Sequence, residues 1–259
     1  MTETTIDHAR WGSVASYRKA ALMGLSDCAS IPGLILFFSA AGFGALANDA
    51  GLSLFNAAAM MGLFYALPAQ VVVADEMARG ASIWAGAFAL LLIAVRLMPL
   101  VASLVPMLDV RTAPFWQRLV VVHGIAVTGW LEGVRRLPKV PEMFRMPYFL
   151  GLSCGLVAVT VVGAGLGHAG LGFFPPLIAA VLLFLTPIYF LLSMLQPLRA
   201  WLAVLPIVFG CILGPVFFVT LPGLDLLFTG VFGGGGAFLI ARLFASRDQV
   251  RQVATKGDA

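Results

Sequence analysis

A glutamine stands two residues after a proline inside an apolar run, Phe64-Tyr65-Ala66-Leu67-Pro68-Ala69-Gln70. A buried amide needs hydrogen-bond partners, and two kinds are open to Gln70. It could meet the carboxylate or ammonium of a bound solute, or it could bond a neighbouring helix and merely lock packing. Pro68 removes a backbone donor and clashes with the preceding turn, so the helix is expected to break or kink there. A second proline lies in Phe184-Leu185-Thr186-Pro187-Ile188-Tyr189, with the hydroxyls of Thr186 and Tyr189 close by. Freed carbonyls and amides at such breaks survive in hydrocarbon only inside protein or along a polar cavity, and broken helices build solute sites in many transporters. The alternative at both prolines is a plain packing kink.

Arg96 sits deep in an apolar run, before Leu97, Met98 and Pro99. A cation there must face protein, water or a counter-ion. It could receive a carboxylate, pair with Asp75, Glu76, Glu132 or Asp225, or snorkel to the interface. His123 and Glu132 are the residues that could relay protons. Other chemistry is not supported. His8, His123 and His168 form no set with a nucleophile, and Cys28, Cys154 and Cys211 lack metal-ligand spacing, so no enzyme activity, metal or cofactor is expected. Gly151-Leu152-Ser153-Cys154-Gly155 spells a nucleophile elbow, and Gly165 to Gly170 a dinucleotide loop, but neither has its strand context. The chain contains no GxxxxGK[ST] loop, so it is not expected to use ATP itself.

The elements that position these residues follow from composition. The 259 residues are 61% apolar and 11% charged, with a mean hydropathy of +0.99, far more apolar than soluble domains. Apolar runs long enough to cross a bilayer recur along the chain. They fall at Cys28 to Ala47, Phe55 to Ala74, Ser82 to Val105, Phe115 to Leu131, Tyr148 to Gly167, Phe173 to Leu195, Trp201 to Val219 and about Leu224 to Phe244. The expected fold class is all-α, a polytopic transmembrane bundle of about eight spans with the second and sixth broken at proline. The fourth span is short and carries Gln117, Arg118 and His123, so a tilted or re-entrant element is open there.

Basic residues orient the bundle. With both ends in the cytoplasm, nearly all of them fall on that side, and only Arg111 and Arg118 lie opposite. The formal charge of +4 therefore serves orientation, and nucleic acid is excluded as a partner. No cleaved signal peptide is expected. Residues 1–27 read as a cytoplasmic N-terminal segment, 28–244 as a transmembrane transport domain and 245–259 as a cytoplasmic tail. An offset of 119 places Gly44 on Gly163, Ala50-Gly51-Leu52 on Ala169-Gly170-Leu171 and Pro68 on Pro187, which suggests tandem units at 28–131 and 148–244. The pairs Gly129/Gly133, Gly151/Gly155, Gly210/Gly214 and Gly230/Gly234 carry the spacing that allows close helix approach.

Gly42-Phe43-Gly44-Ala45-Leu46-Ala47 before Ala50-Gly51-Leu52-Ser53, a span ending Pro68-Ala69-Gln70, Arg96 in the third span and Phe184-Leu185-Thr186-Pro187 together resemble the large subunit of azaleucine-resistance (AzlC-type) branched-chain amino acid exporters. The resemblance covers roughly residues 20 to 245. It implies export of branched-chain or related amino acids across a bacterial inner membrane, coupled to the proton gradient, with a small four-span membrane subunit of the AzlD type as partner. Two departures stand out: Ala94-Val95-Arg96-Leu97 keeps only the arginine of the family's Asn-x-Arg-His run, and the acidic pair of the fourth span is absent near His123-Gly124. Gln70 and Arg96 carry over best. On this reading a solute binds between the two proline breaks, near Gly44, its side chain against Phe64, Tyr65 and Phe184 and its charged ends near Gln70, Arg96 and the groups freed at Pro68, Thr186 and Pro187.

Overall fold

Inside hydrocarbon a backbone must satisfy its own polar groups, and the α-helix does so within one segment. The computed structural model is helical and has no strand among the described residues. It describes residues 8–11, 16–78, 97–110, 113–170, 176–195, 204–220 and 228–240, with single positions or pairs between 80 and 95 and at 242. The expected third span, including Arg96, therefore lies largely outside the described residues.

The elements in order are α1 (His8–Trp11), α2 (Tyr17–Asp27), α3 (Ile31–Asp49), α4 (Leu54–Phe64), α5 (Leu67–Ala78) and α6 (Met98–Leu104), the last followed by a 3-10 turn at Val105–Leu108. Next come α7 (Phe115–His123), α8 (Val127–Arg136) with a 3-10 turn at Leu137–Lys139, α9 (Glu142–Gly170), α10 (Pro176–Leu195) and α11 (Leu205–Thr220). A π-helical segment, Thr229–Gly234, continues as α-helix through residue 240. Among the described residues, helices α3 and α9 are long and apolar enough to cross a membrane, and five more apolar helices are shorter. At 29 residues, α9 is about 43 Å long at 1.5 Å per residue, more than the ~30 Å hydrocarbon core. Large apolar side chains on many helices face outward, among them Ile31, Leu34, Val162, Leu166, Leu177 and Val181. An apolar surface of that extent suits lipid rather than water.

The chain divides into two units, Met1–Tyr189 and Phe190–Ala259. In the first, α9 is the spine against which α2, α3 and α4 pack. The contact is backbone to backbone. A Cβ on Gly24 would meet the Tyr148 carbonyl, one on Gly151 the Ala21 carbonyl, and one on Gly167 the Ala41 carbonyl. Each helix thus offers glycine where the other offers main chain, the close approach that small residues permit in membranes. Ser16 caps α2 by accepting from the Lys19 amide at 3.3 Å, and Ser53 caps α4 by accepting from the Asn56 amide at 3.2 Å. In the second unit, Phe217 of α11 sits 5.9 Å in ring-centroid distance from both Phe228 and Phe232.

The structure corrects several expectations. The fourth span is two helices, α7 and α8, parted by Gly124-Ile125-Ala126. Helix α10 runs through Pro187 without interruption, so the second proline makes no break. The two expected repeat units therefore differ at this position, since the second span does part into α4 and α5. A Cβ added at Gly210, Gly214, Gly230 or Gly234 would enter open space, so among the described residues their spacing serves no helix contact.

Candidate functional site

The second span breaks just before its proline. Helix α4 stops at Phe64, Tyr65 leaves helical geometry at φ 9° and ψ 49°, and α5 restarts at Leu67. Pro68 is then the second residue of a new helix, where a missing N–H matters little because the first turn has no intrahelical acceptor for it. The amides of Ala69 and Gln70 both turn back to the Ala66 carbonyl, at 2.8 and 3.2 Å. The proline placed the break; the disruption itself falls on the residues before it.

A helix end leaves carbonyls without intrahelical donors, and they carry the negative end of the helix dipole. Two side chains come to the end of α4. The Gln70 Nε2 donates to the Met60 carbonyl at 3.0 Å, and the His123 ring lies with Nε2 2.9 Å from the Gly62 carbonyl. A carbonyl only accepts, so Nε2 of His123 carries the proton in this contact. Gln70 and His123 come from α5 and α7, and the Tyr65 and His123 rings stand 6.5 Å apart. Gln70 is 1% exposed and Tyr65 is also buried. The Gln70 Oε1 and the Tyr65 hydroxyl have no hydrogen-bond partner among the described residues. Buried polar atoms are nearly always satisfied, so two orphans beside one helix break mark a place where a ligand or water belongs.

A second polar cluster joins α3 to α10. The Ser39 hydroxyl donates to the Leu182 carbonyl at 3.0 Å and accepts from the Thr186 amide at 3.1 Å and from the Thr186 hydroxyl at 2.6 Å. One donor and two acceptor positions are all filled. The Thr186 amide and the Leu182 carbonyl are i and i−4 in α10, so the serine hydroxyl engages that ladder in the turn before Pro187, a side-chain insertion of the kind that bends a helix. Ser39 was not among the residues the sequence singled out, and only its apolar setting could have hinted that its hydroxyl must find a partner. Both clusters border the apolar core of Ala40, Phe43, Ala57 and Met61, on which Leu67, Val71 and Leu183 also pack.

The remaining expected site residues separate. Phe64 is 43% and Phe184 64% exposed, so neither lines a pocket around Gln70. Pro68 and Pro187 are exposed too. Gly44 is buried against α9, where a Cβ would meet the Ala164 carbonyl and the His168 amide, which makes it a packing residue. Arg96 lies outside the described residues. Glu132 is buried but held in an ion pair by the Arg136 Nε at 2.6 Å, with Arg135 at 3.9 Å. No group of three or more metal-ligating side chains occurs among the described residues.

That ion pair belongs to a network at one end of α2, α8 and α9. Asp27 accepts from Arg10 at 2.7 and 2.8 Å, from the Tyr148 hydroxyl at 2.6 Å, and pairs with Arg136 at 3.1 Å. Burial pushes the Asp27 carboxyl up, but the hydrogen bonds from Arg10 and Tyr148 and the charges of Arg10 and Arg136 outweigh it and hold it below its ordinary value. Burial lowers the Arg136 pKa, and the hydrogen bond and charge of Glu132 more than reverse this. The sequence gives no local signal for the network, since Tyr148 and Asp27 are 121 positions apart.

With this geometry in place, the chain can be compared with known proteins. The family model described as AzlC protein matches residues 33–173, more than half of the chain and all of the break between α4 and α5. Neither a curated protein nor a solved structure matches it.

Proposed function

We propose that this chain, which belongs to the AzlC family and so is a membrane protein with a transport-related function, exports branched-chain or related amino acids. The observation that carries this reading is the pair of buried, unpartnered polar atoms at the helix break, Oε1 of Gln70 and the hydroxyl of Tyr65. Oε1 only accepts and the phenol oxygen can accept, and the adjoining end of α4 is the negative end of a helix dipole. The group that fits is a cation with several N–H donors, the ammonium of an amino acid. The Ala69 and Gln70 amides in the first turn of α5 are already engaged by Ala66, and the solute's carboxylate is assigned to Arg96, the residue the family resemblance favours. The apolar side chain then lies against the surrounding apolar residues.

Export in this reading is driven by the proton gradient across a bacterial inner membrane, with a small four-span subunit as partner. His123, whose ring touches the same helix end, is the better choice of protonatable group than Glu132, which two arginines hold. The test is efflux of preloaded leucine, isoleucine, valine and methionine from cells carrying the chain and the small subunit. A hydrogen bond to a charged group contributes about 1.5–3 kcal/mol, so Gln70→Ala is expected to slow efflux by roughly ten- to a hundredfold while the protein stays in the membrane. An uncoupler should abolish efflux by the unaltered chain. Unchanged efflux in Gln70→Ala would remove the break as the solute site; absence of efflux for all four amino acids would return the chain to another solute or to an assembly role.

A further inference from the structure

The charge network leaves an opening. Arg10 and Trp11 of α1, Glu132, Arg135 and Arg136 of α8, Lys139 and Val140 after it, and Tyr148 of α9 line a cleft of roughly 310 Å³. Among the described residues its cations outnumber its carboxylates. Of the two acids at hand, Asp27 is taken up by Arg10 and Arg136, and Glu132 sits on Arg136 at 2.6 Å while reaching Arg135 only at 3.9 Å. Arg135 and Lys139, one helical turn apart and both exposed, supply the excess positive charge. Arg136 is fixed from both sides, which gives the cleft a rigid floor. Trp11 closes one wall, stacked on Phe144 at 6.0 Å and edge-on to Tyr148 at 5.7 Å.

The surroundings of the cleft are apolar and outward-facing. Tyr17 on α2, whose ring meets Phe144 edge-on at 5.9 Å, is 62% exposed, and Met143, next to Phe144 at the start of α9, is 63% exposed. A soluble anion makes no use of such flanks, whereas an amphiphile does: its headgroup meets the cations and its chains lie along the apolar side chains. We propose that this cleft binds a phosphate-bearing anion, the headgroup of an anionic phospholipid, with Arg135 and Lys139 as its contacts. The bound lipid would complete the charge balance of the network that ties α1 and α2 to α8 and α9.

The experiment is native mass spectrometry of the purified full chain in mixed micelles, titrated with phosphatidylglycerol, with phosphatidylcholine and, separately, with inorganic phosphate. Selective retention of phosphatidylglycerol is expected. Interfacial cations contribute roughly fivefold each, so the double substitution Arg135→Gln with Lys139→Gln should weaken retention by about 25-fold. The charge-preserving pair Arg135→Lys with Lys139→Arg should keep it and shows that the cleft still folds. Arg242→Gln, a basic residue outside the cleft, should change nothing. Equal retention of the two lipids, or a loss in Arg242→Gln as large as in the double variant, overturns the site. Saturable binding of inorganic phosphate that is lost in the same double variant, without lipid preference, overturns the lipid as its source.

Discussion

The Ser39 insertion can be tested as a coupled pair. Ser39→Ala deletes three hydrogen bonds at a fully buried position, yet the loss is not three bonds' worth. The Thr186 amide and the Leu182 carbonyl are i and i−4 in one helix, so they recover each other when the serine oxygen leaves. What remains is the Thr186 hydroxyl, stranded in an apolar site, and a small void. Hydrogen bonds between membrane helices average about 0.6 kcal/mol and an unsatisfied buried group costs about 1–3 kcal/mol, so the expected destabilisation is roughly 1–2 kcal/mol. Thr186→Val removes one bond and leaves the serine its other two, about 1 kcal/mol. In the double variant no polar group is stranded, so its destabilisation should fall below that of Ser39→Ala alone, giving a coupling of more than about 1 kcal/mol. The assay is reversible unfolding of the purified chain in mixed micelles under increasing denaturing detergent, for both single variants and the double. Additive losses would show that the two hydroxyls act independently and would refute the cluster as a coupled link between α3 and α10.

Three further outcomes follow from the packing and the charges. Gly167→Val drives a side chain into the Ala41 carbonyl, and since main chain cannot yield as a side-chain tip can, α3 and α9 should separate and the yield of folded protein fall sharply, while Gly165→Ala, whose Cβ meets only a Leu54 methyl at 4.0 Å, should be neutral; size-exclusion profiles distinguish them. The Asp27 pKa is depressed from an ordinary 3.8, so its contribution is complete above that pH and is lost as pH falls through the lower folded value. Hydrogen exchange in α1 and α2 should therefore stay slow from neutral pH down to about 4 and accelerate below it, and Asp27→Asn should show fast exchange at every pH. His123→Ala frees the Gly62 carbonyl and should cost about 1 kcal/mol in the same unfolding assay, with His123→Gln, which retains a donor, recovering part of it.

Much of this protein was legible because the relevant physics is local. Apolar run length and sparse charge are properties of short windows, and they point to a helical membrane protein without knowledge of any contact. A proline acts on the four residues before it, so the break at Tyr65-Ala66 could be placed near Pro68 in advance, and an amide in an apolar run announces its need for a partner at Gln70. The same reasoning failed at Pro187, because a proline removes a single helical hydrogen bond and α10 stays helical around it. It failed at Phe64 and Phe184 because an aromatic near a break is equally at home facing lipid.

By itself, the sequence determined the class, the places where helices must cross apolar surroundings and the one residue at the break whose chemistry stood out. The tertiary structure alone decided which of the two prolines parts its helix, which carbonyl His123 reaches, which glycines touch backbone and which acid Arg136 holds. Those outcomes depend on groups from different helices meeting within about 3 Å, the reach of a hydrogen bond. Spacing along the chain carries no information about which groups those are.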